Sequence, residues 1–153
     1  MSIGKTPARG EVSYWSQATI PWVSISDMTN SEYINKTKEE ISVAASSVMG
    51  EISPVGSLLM SFKLTVGRTS ILNIDAYHNE AIISIYPFID DKYALRDYLF
   101  YTLPFLSNMG DSKDAIKGKT LNSKSLKSLL IPLPPLREQR CIINRLEELY
   151  AHL

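Results

Sequence analysis

Few residue sets in this chain have the types and spacing that catalysis requires, and each meets a specific obstacle. Gly118-Lys119-Thr120 has the tail of a phosphate-binding loop, in which backbone N–H groups and a lysine cradle a polyphosphate. That pattern demands glycine at position 113, where Lys113 stands, and no strong strand leads into it. Gly4-Lys5-Thr6 repeats the tail too close to the first residue to complete the loop. Asp111-Ser112-Lys113, with Asp97 upstream, has the form of a nuclease metal site. Such sites hold their metal on a rigid strand, whereas this one lies among Gly, Ser and Asn. His78 and His152 stand far apart without ligand-type neighbours at zinc spacing, so no metal site is expected. No glycine-rich dinucleotide fingerprint occurs, and the sequence leaves no room for a methyl-donor-binding domain. The single cysteine, Cys141, cannot close an internal disulfide and reads as a small core or interface side chain. The expectation is a non-catalytic chain with no cofactor of its own.

Nucleic-acid binding is the chemistry that the remaining polar residues can perform. Phosphates are held by Lys, Arg, small hydroxyls and backbone donors, while base edges are read by Arg, Lys, Asn, Gln and Ser that reach a groove. Two stretches supply such residues: Lys63 and Arg68 beside Gly67, and Lys113, Lys117, Lys119, Asn122 and Ser123 after Gly110. Sixteen basic against sixteen acidic residues give a formal net charge of zero, which argues against a non-specific polycation. The charge is unevenly placed. Between positions 111 and 127 five lysines stand against two aspartates, and between 75 and 97 five acids stand against Lys92 and Arg96. This separation suits one polyanion-attracting face, with two ordinary solvated faces as the plain alternative.

The elements that must position these residues follow from periodicity. At 153 residues, 44% of them hydrophobic and 21% charged, the chain is one domain of ordinary size with a helical tail. No apolar run approaches the roughly 20 residues that span a bilayer, and the first ten residues lack the apolar centre of a signal peptide, so cytoplasm is expected and no membrane. The segment up to Ala18 reads as an irregular arm anchored by Tyr14-Trp15, and Ile20-Val23 as a short strand with Pro21 at an edge. Asp27, Thr29, Asn30 and Ser31 offer caps for a helical turn through Glu32-Tyr33-Ile34, and Thr37 with Glu40 makes a capping box. Leu58-Phe62, Thr69-Ile74 and Ala81-Tyr86 are strand-length runs rich in apolar and β-branched residues. Asp90 or Asp91 caps a helix through Leu106 that Pro104 should kink or shorten, and Asn122 or Ser123 caps a short one from Lys124 to Leu129. Ile131 and Leu133 read as one more strand, after which Pro134-Pro135 opens an amphipathic helix with the stripe Ile142, Leu146, Leu149, Leu153. The fold class is therefore α+β: a small, mostly antiparallel or mixed sheet with short helices, then a coiled-coil-type helix. The boundary is placed at 135, giving 1–135 as a globular domain and 136–153 as the start of the amphipathic helix.

Several of these residues, in this order, resemble a known family. Ile131-Pro132-Leu133-Pro134-Pro135-Leu136 followed by Glu138-Gln139 and the Ile142/Leu146 helix is similar to the end of a target recognition domain in type I restriction-modification specificity subunits. Gly4-Lys5-Thr6-Pro7, Tyr14-Trp15, Ile20-Pro21-Trp22-Val23 and Asp27 resemble its opening, with Thr37 and Ile41-Ser42 as the next landmark. Gly56 to Ser61, the Gly67 turn and Asn79-Glu80-Ala81-Ile82 resemble the family's middle segments, although the family usually carries glutamine where Glu80 stands.

The resemblance implies more than composition does. It implies a subunit with two recognition domains, each reading half of a bipartite sequence in double-stranded DNA, held apart by antiparallel helical spacers that dock methyltransferase subunits. This chain matches one recognition domain and the first turns of one spacer: a half subunit or fragment. Methyl transfer and cleavage, with S-adenosylmethionine, ATP and magnesium, would belong to partner modification and restriction subunits, and the C-terminal helix could pair two copies of the chain. Recognition domains of this kind also occur fused to DNA methyltransferases and to combined restriction-methylation enzymes, and S-adenosylmethionine binding by the isolated chain would separate that reading. An oligomerisation module with incidental surface lysines is the third.

Overall fold

In a computed structural model the structure describes residues 1–28, 32–109 and 126–152. Among the described residues eight short strands form two mixed sheets. The larger runs in the order β1 (Ser2–Ile3), β8 (Ile82–Ile85), β5 (Leu58–Ser61), β6 (Thr69–Leu72), β3 (Tyr33–Ile34). The smaller runs β4 (Glu39–Ile41), β2 (Ile20–Val23), β7 (Tyr77–His78). In the larger sheet β5 is antiparallel to both neighbours, pairing Leu58 with Ile71 and with Ile85, whereas β3 joins β6 in parallel. This is the α+β, mixed-sheet class expected from the sequence.

The period of two in β5 builds the core. Leu58, Met60 and Phe62 turn to one face, with Ile71 and Ile83, and meet Tyr98, Leu99 and Leu103 of α3 (Ala94–Met109) and Ile143 of α4 (Leu136–Tyr150). Leu59 turns to the other face, where Leu72, Ile82, Val23, Met28 and Ile34 cover it. A third cluster of Trp22, Ile41 and Ala45 packs the smaller sheet against α1 (Val12–Trp15) and α2 (Val43–Ser46). The run from Leu58 to Met60 is thus buried on both sides, which is why it reads as continuously apolar.

Several local expectations are corrected. The first segment is not wholly irregular, since β1 edges the larger sheet and α1 carries Tyr14 and Trp15 into the third cluster. Tyr33-Ile34 is a strand: Ile71 donates its N–H to Glu32 O (2.8 Å) and Asn73 donates to Ile34 O (3.0 Å), so β6 supplies the ladder that a helix would have made internally. Of its proposed caps, Thr29, Asn30 and Ser31 lie outside the described residues, while Asp27 accepts from the N–H groups of Ser24 and Lys38 and ties two loops together. Thr37-Glu40 is no capping box, because Glu39–Ile41 pairs with β2 and buries Ile41. Pro21 sits in the central strand of its sheet, opposite Glu40, with the parallel pairing to β7 beginning only at Trp22. Ile131 and Leu133 are not a strand. Cys141 is exposed rather than buried. Leu126-Lys127 is helical, as expected of that stretch, and Leu126 is buried, whereas the proposed caps Asn122 and Ser123 lie outside the described residues.

His78 locks the first segment to the smaller sheet. Lys5 donates its N–H to His78 O (2.8 Å), and Gly4 lies so close that a Cβ there would stand 2.1 Å from that oxygen. The His78 Nε2 is 3.2 Å from Ser53 Oγ, which accepts the Tyr86 hydroxyl at 2.9 Å. Burial pushes the imidazole below its ordinary pKa of 6.5, so the folded chain favours the neutral ring. As pH falls below 6.5 the unfolded chain takes the proton first, and the stability that neutral His78 confers, complete above that pH, is progressively lost. Urea midpoints measured between about pH 7 and pH 5 should fall in the wild type and fall less in His78→Gln.

Candidate nucleic-acid interface

Two of the seven predicted DNA-binding residues, Lys63 and Arg68, are described, and both stand on the hairpin between β5 and β6. Ser61 organises that turn. Its hydroxyl donates to Thr65 O and accepts the Arg68 N–H at 3.2 Å, and the Gly67 N–H donates to Ser61 O at 2.8 Å. Gly67 has φ +83°, and a Cβ there would lie 2.0 Å from Ser107 Oγ and 3.3 Å from the Pro104 backbone, so glycine lets the turn rest on α3. Leu64, at φ +64°, is 84% exposed at the tip.

Proline explains the seating of the hairpin. Pro104 lies inside α3, which continues past it to Met109 instead of ending there. Lacking an N–H, Pro104 cannot donate to the carbonyl of Phe100 four residues back. Thr69 of β6 supplies the missing donor, its hydroxyl lying 2.9 Å from Phe100 O. The hairpin thus docks on the last turns of α3, and residues 110–125, which bear Lys113, Lys117, Lys119, Asn122 and Ser123, follow directly from that helix end. Those five residues lie outside the described ones, as do Asp111 and the Gly118-Lys119-Thr120 run.

Lys63 and Arg68 face different neighbours. Lys63 Nζ lies 5.3 Å from the Phe62 ring centroid, and its charge reaches Glu80, whose carboxyl is held below its ordinary pKa first by the Thr6 hydroxyl and also by Lys63 and Arg9. Arg68 is half-buried and donates to Ile25 O at 3.4 Å. Sequence reasoning missed Arg9, which pairs with both oxygens of Glu39 (2.5 and 2.9 Å) and covers Trp15 at 3.9 Å. Arg9 borders a hollow of ≈ 590 Å³ with Trp15, Thr37 and Glu40, but its charge is already matched by Glu39. Acids gather on the α3–α4 flank. Burial raises the Glu32 carboxyl, with Asp97 and Glu147 adding to it, and the Tyr101 hydroxyl is pushed up to about 12 by burial and by Glu32, Glu147 and Asp97. Asp97 pairs with Arg96, and no group of three potential metal ligands occurs among the described residues.

The helix stripe is placed differently from its expectation. Ile143 and Gln139 are the buried residues of α4; Ile142 packs at the edge of the core, Leu146 is half-buried and Leu149 is 50% exposed, while Leu153 lies outside the described residues. The docked face is Gln139, Ile143, Leu146 and Tyr150, the last stacked on Tyr101 at 6.0 Å, with Arg140 paired to Asp91 at 2.5 Å. Much of the stripe is therefore satisfied within the chain. A polar residue at 139 hid this face, since a hydrophobic count passes over glutamine.

The described residues thus form a mixed two-sheet head with a proline-led C-terminal helix. The chain belongs to the family described as the type I restriction modification DNA specificity domain, whose model matches residues 2–153. It is 28% identical over 145 residues to the MjaIX type I restriction enzyme specificity subunit of Methanocaldococcus jannaschii, covering 91% of this chain and 33% of that protein. To the HindI specificity subunit of Haemophilus influenzae it is 28% identical over 136 residues, covering 86% and 29%. The fold matches the HsdS subunit from Thermoanaerobacter tengcongensis with a TM-score of 0.65 at 23% identity, over 98% of this chain and 34% of that one. The chain thus spans about a third of the length of these relatives. Among the described residues no helix is long and apolar enough to cross a membrane.

The docking of the hairpin is testable. Gly67→Ala should lower stability by about 1–2 kcal/mol, from the left-handed φ and the crowding at Ser107, as read by thermal denaturation. An unchanged melting temperature would show that the turn does not rest on α3.

Proposed function

We propose that this chain is the DNA-reading half of a type I specificity subunit, binding one part of a bipartite sequence in double-stranded DNA without catalysing a reaction itself. The family match along residues 2–153 carries the reading. Residues 1–135 form the recognition domain and 136–153 begin the spacer, a division at the N-cap of α4, Pro135. Lys63, Arg68, Lys113, Lys117, Lys119, Asn122 and Ser123 line the DNA face. The seating of the β5–β6 hairpin on the end of α3, from which the lysine-bearing segment continues, supports their grouping. Exposed Leu64 adds an apolar tip of the kind that contacts a thymine methyl. Methylation and cleavage belong to modification and restriction subunits in the cytoplasm, with which the chain assembles, and the exposed flank of α4 around Leu149 pairs with another helix, including that of a second copy.

Selection of duplexes from a random-sequence pool is the primary test, with a shared enriched motif expected. Charge reversal of Lys113, Lys117 and Lys119 together should weaken binding by about 100-fold and reduce the slope of log affinity against log salt by about 3. Wild-type affinity in that variant would remove these lysines from the DNA face. For the helix, Leu149→Asp should leave only monomer in sedimentation velocity; association equal to wild type would exclude the exposed flank of α4 as the pairing surface.

A further inference from the structure

The run from Ile131 to Pro135 has a backbone problem. Prolines at 132, 134 and 135 remove three N–H donors, so the segment cannot pair as a strand, yet its carbonyls still require partners where the chain packs against the head. Two side chains supply them. The Tyr98 hydroxyl, from α3, donates to Pro132 O at 2.9 Å, and Gln139 Nε2, from α4, donates to Pro134 O at 2.8 Å. Pro135 O accepts the N–H groups of Glu138 (2.8 Å) and Gln139 (3.0 Å) and so starts the helix. Tyr98 is 4% exposed and Gln139 8%, one fixed in the head and the other in the helix.

Gln139 is a costly residue for this position if packing is its only role. Its Oε1 is buried without a hydrogen-bond partner among the described residues, whereas methionine would fill the same space without an orphaned acceptor. Its amide therefore contributes direction rather than burial. A proline pair alone fixes φ at two positions but leaves ψ free to turn, so it cannot by itself fix the angle at which α4 leaves the head. The Tyr98 and Gln139 bonds restrain the carbonyls on either side of Leu133, and Ile143 seats the next turn in the core.

We infer that Tyr98 and Gln139 form a clasp that sets the exit angle of α4, and so the spacing between half sites that an assembled pair of recognition domains tolerates. They are positioning residues. The spacing consequence rests on the reading given under Proposed function, whereas the angle does not.

The experiment separates the two. Spin labels at the native exposed Cys141 on α4 and at Val43→Cys, a 71% exposed site on α2, report the head-to-helix distance without DNA. Wild type should give one narrow distribution, and Tyr98→Phe and Gln139→Met should each widen or shift it while retaining cooperative thermal unfolding. On duplexes carrying two inverted copies of the selected half site at varied separation, the preference for the best spacing should fall by about threefold to tenfold in either variant, with single-half-site affinity unchanged. If Gln139→Met fails to fold, Tyr98→Phe, which keeps the ring and loses only the hydroxyl, decides alone. Distributions as narrow as wild type, at the wild-type distance, overturn the clasp. Widened distributions with an unchanged spacing profile overturn its role in spacing, and a wild-type chain that binds no duplex overturns the functional reading while the label distances still decide the angle.

Discussion

The structure depends on what happens to the carbonyls that proline leaves unserved. A proline inside an ordered segment removes one donor, and a packed acceptor left without a partner costs about 1–3 kcal/mol. Here the replacement donors are side chains from other elements: Thr69 of β6 for Phe100 O, opposite Pro104, and Tyr98 and Gln139 for Pro132 O and Pro134 O. Each substitution joins two elements that a regular backbone would have left independent. The first binds the central sheet to α3, and the others bind α3 and α4 to the linker between them.

From these joints the charge arrangement follows. Because α3 is tied to β6 at one end and to α4 along its flank, the acids Asp97 and Glu147 gather with Glu32 at the edge beside β3. Glu32, whose carbonyl accepts the Ile71 N–H, lies near the end of β6 that the hairpin bearing Lys63 and Arg68 enters at Thr69, and that hairpin is seated on α3 at Pro104 and Ser107. Acids and bases thus stand close together around this seat within a chain of zero formal charge, and it is the local field that a polyanion meets.

Much of the fold was legible in sequence where burial is two-sided or capping is local. β5, β6 and β8 announced themselves as apolar runs, and Asp90 caps α3 through the N–H groups of Leu95 and Arg96, as its position suggested. The two- and three-residue strands β3 and β4 were not legible, because their ladders come from β6 and β2 and not from any pattern of their own. The candidate site was legible as loop chemistry at Lys63 and Arg68 and in the family resemblance, but not in how those side chains are partnered. Nothing in the spacing of Lys63 tells that Glu80 shares its field, since the two are brought together across the sheet by the antiparallel pairing of β5 with β8, which sets Ser61 opposite Ile82 and the Phe62 N–H on Ala81 O. The docked face of α4 was only partly legible for a related reason: Ile142 of the expected stripe does pack on the core, but the buried face begins at Gln139, whose side chain bonds a carbonyl five residues earlier.

A scaffold held in this way separates the support of a loop from its chemistry. The hairpin is fixed by Ser61, Gly67 and Thr69, through backbone atoms, a missing Cβ and two hydroxyls. Among the described residues the exposed Leu64 and Thr65 make no side-chain hydrogen bond in that seating, and Lys63 meets the Phe62 ring and the field of Glu80. Side chains at the tip can therefore be exchanged with small consequence for the fold, because the donors and acceptors that anchor the turn lie at its base. Arg68 differs, since its guanidinium also reaches Ile25 O, and replacing it alters both the surface charge and a contact to the turn after β2. The physical division within one short hairpin thus runs between a tip free to vary and a base that is not.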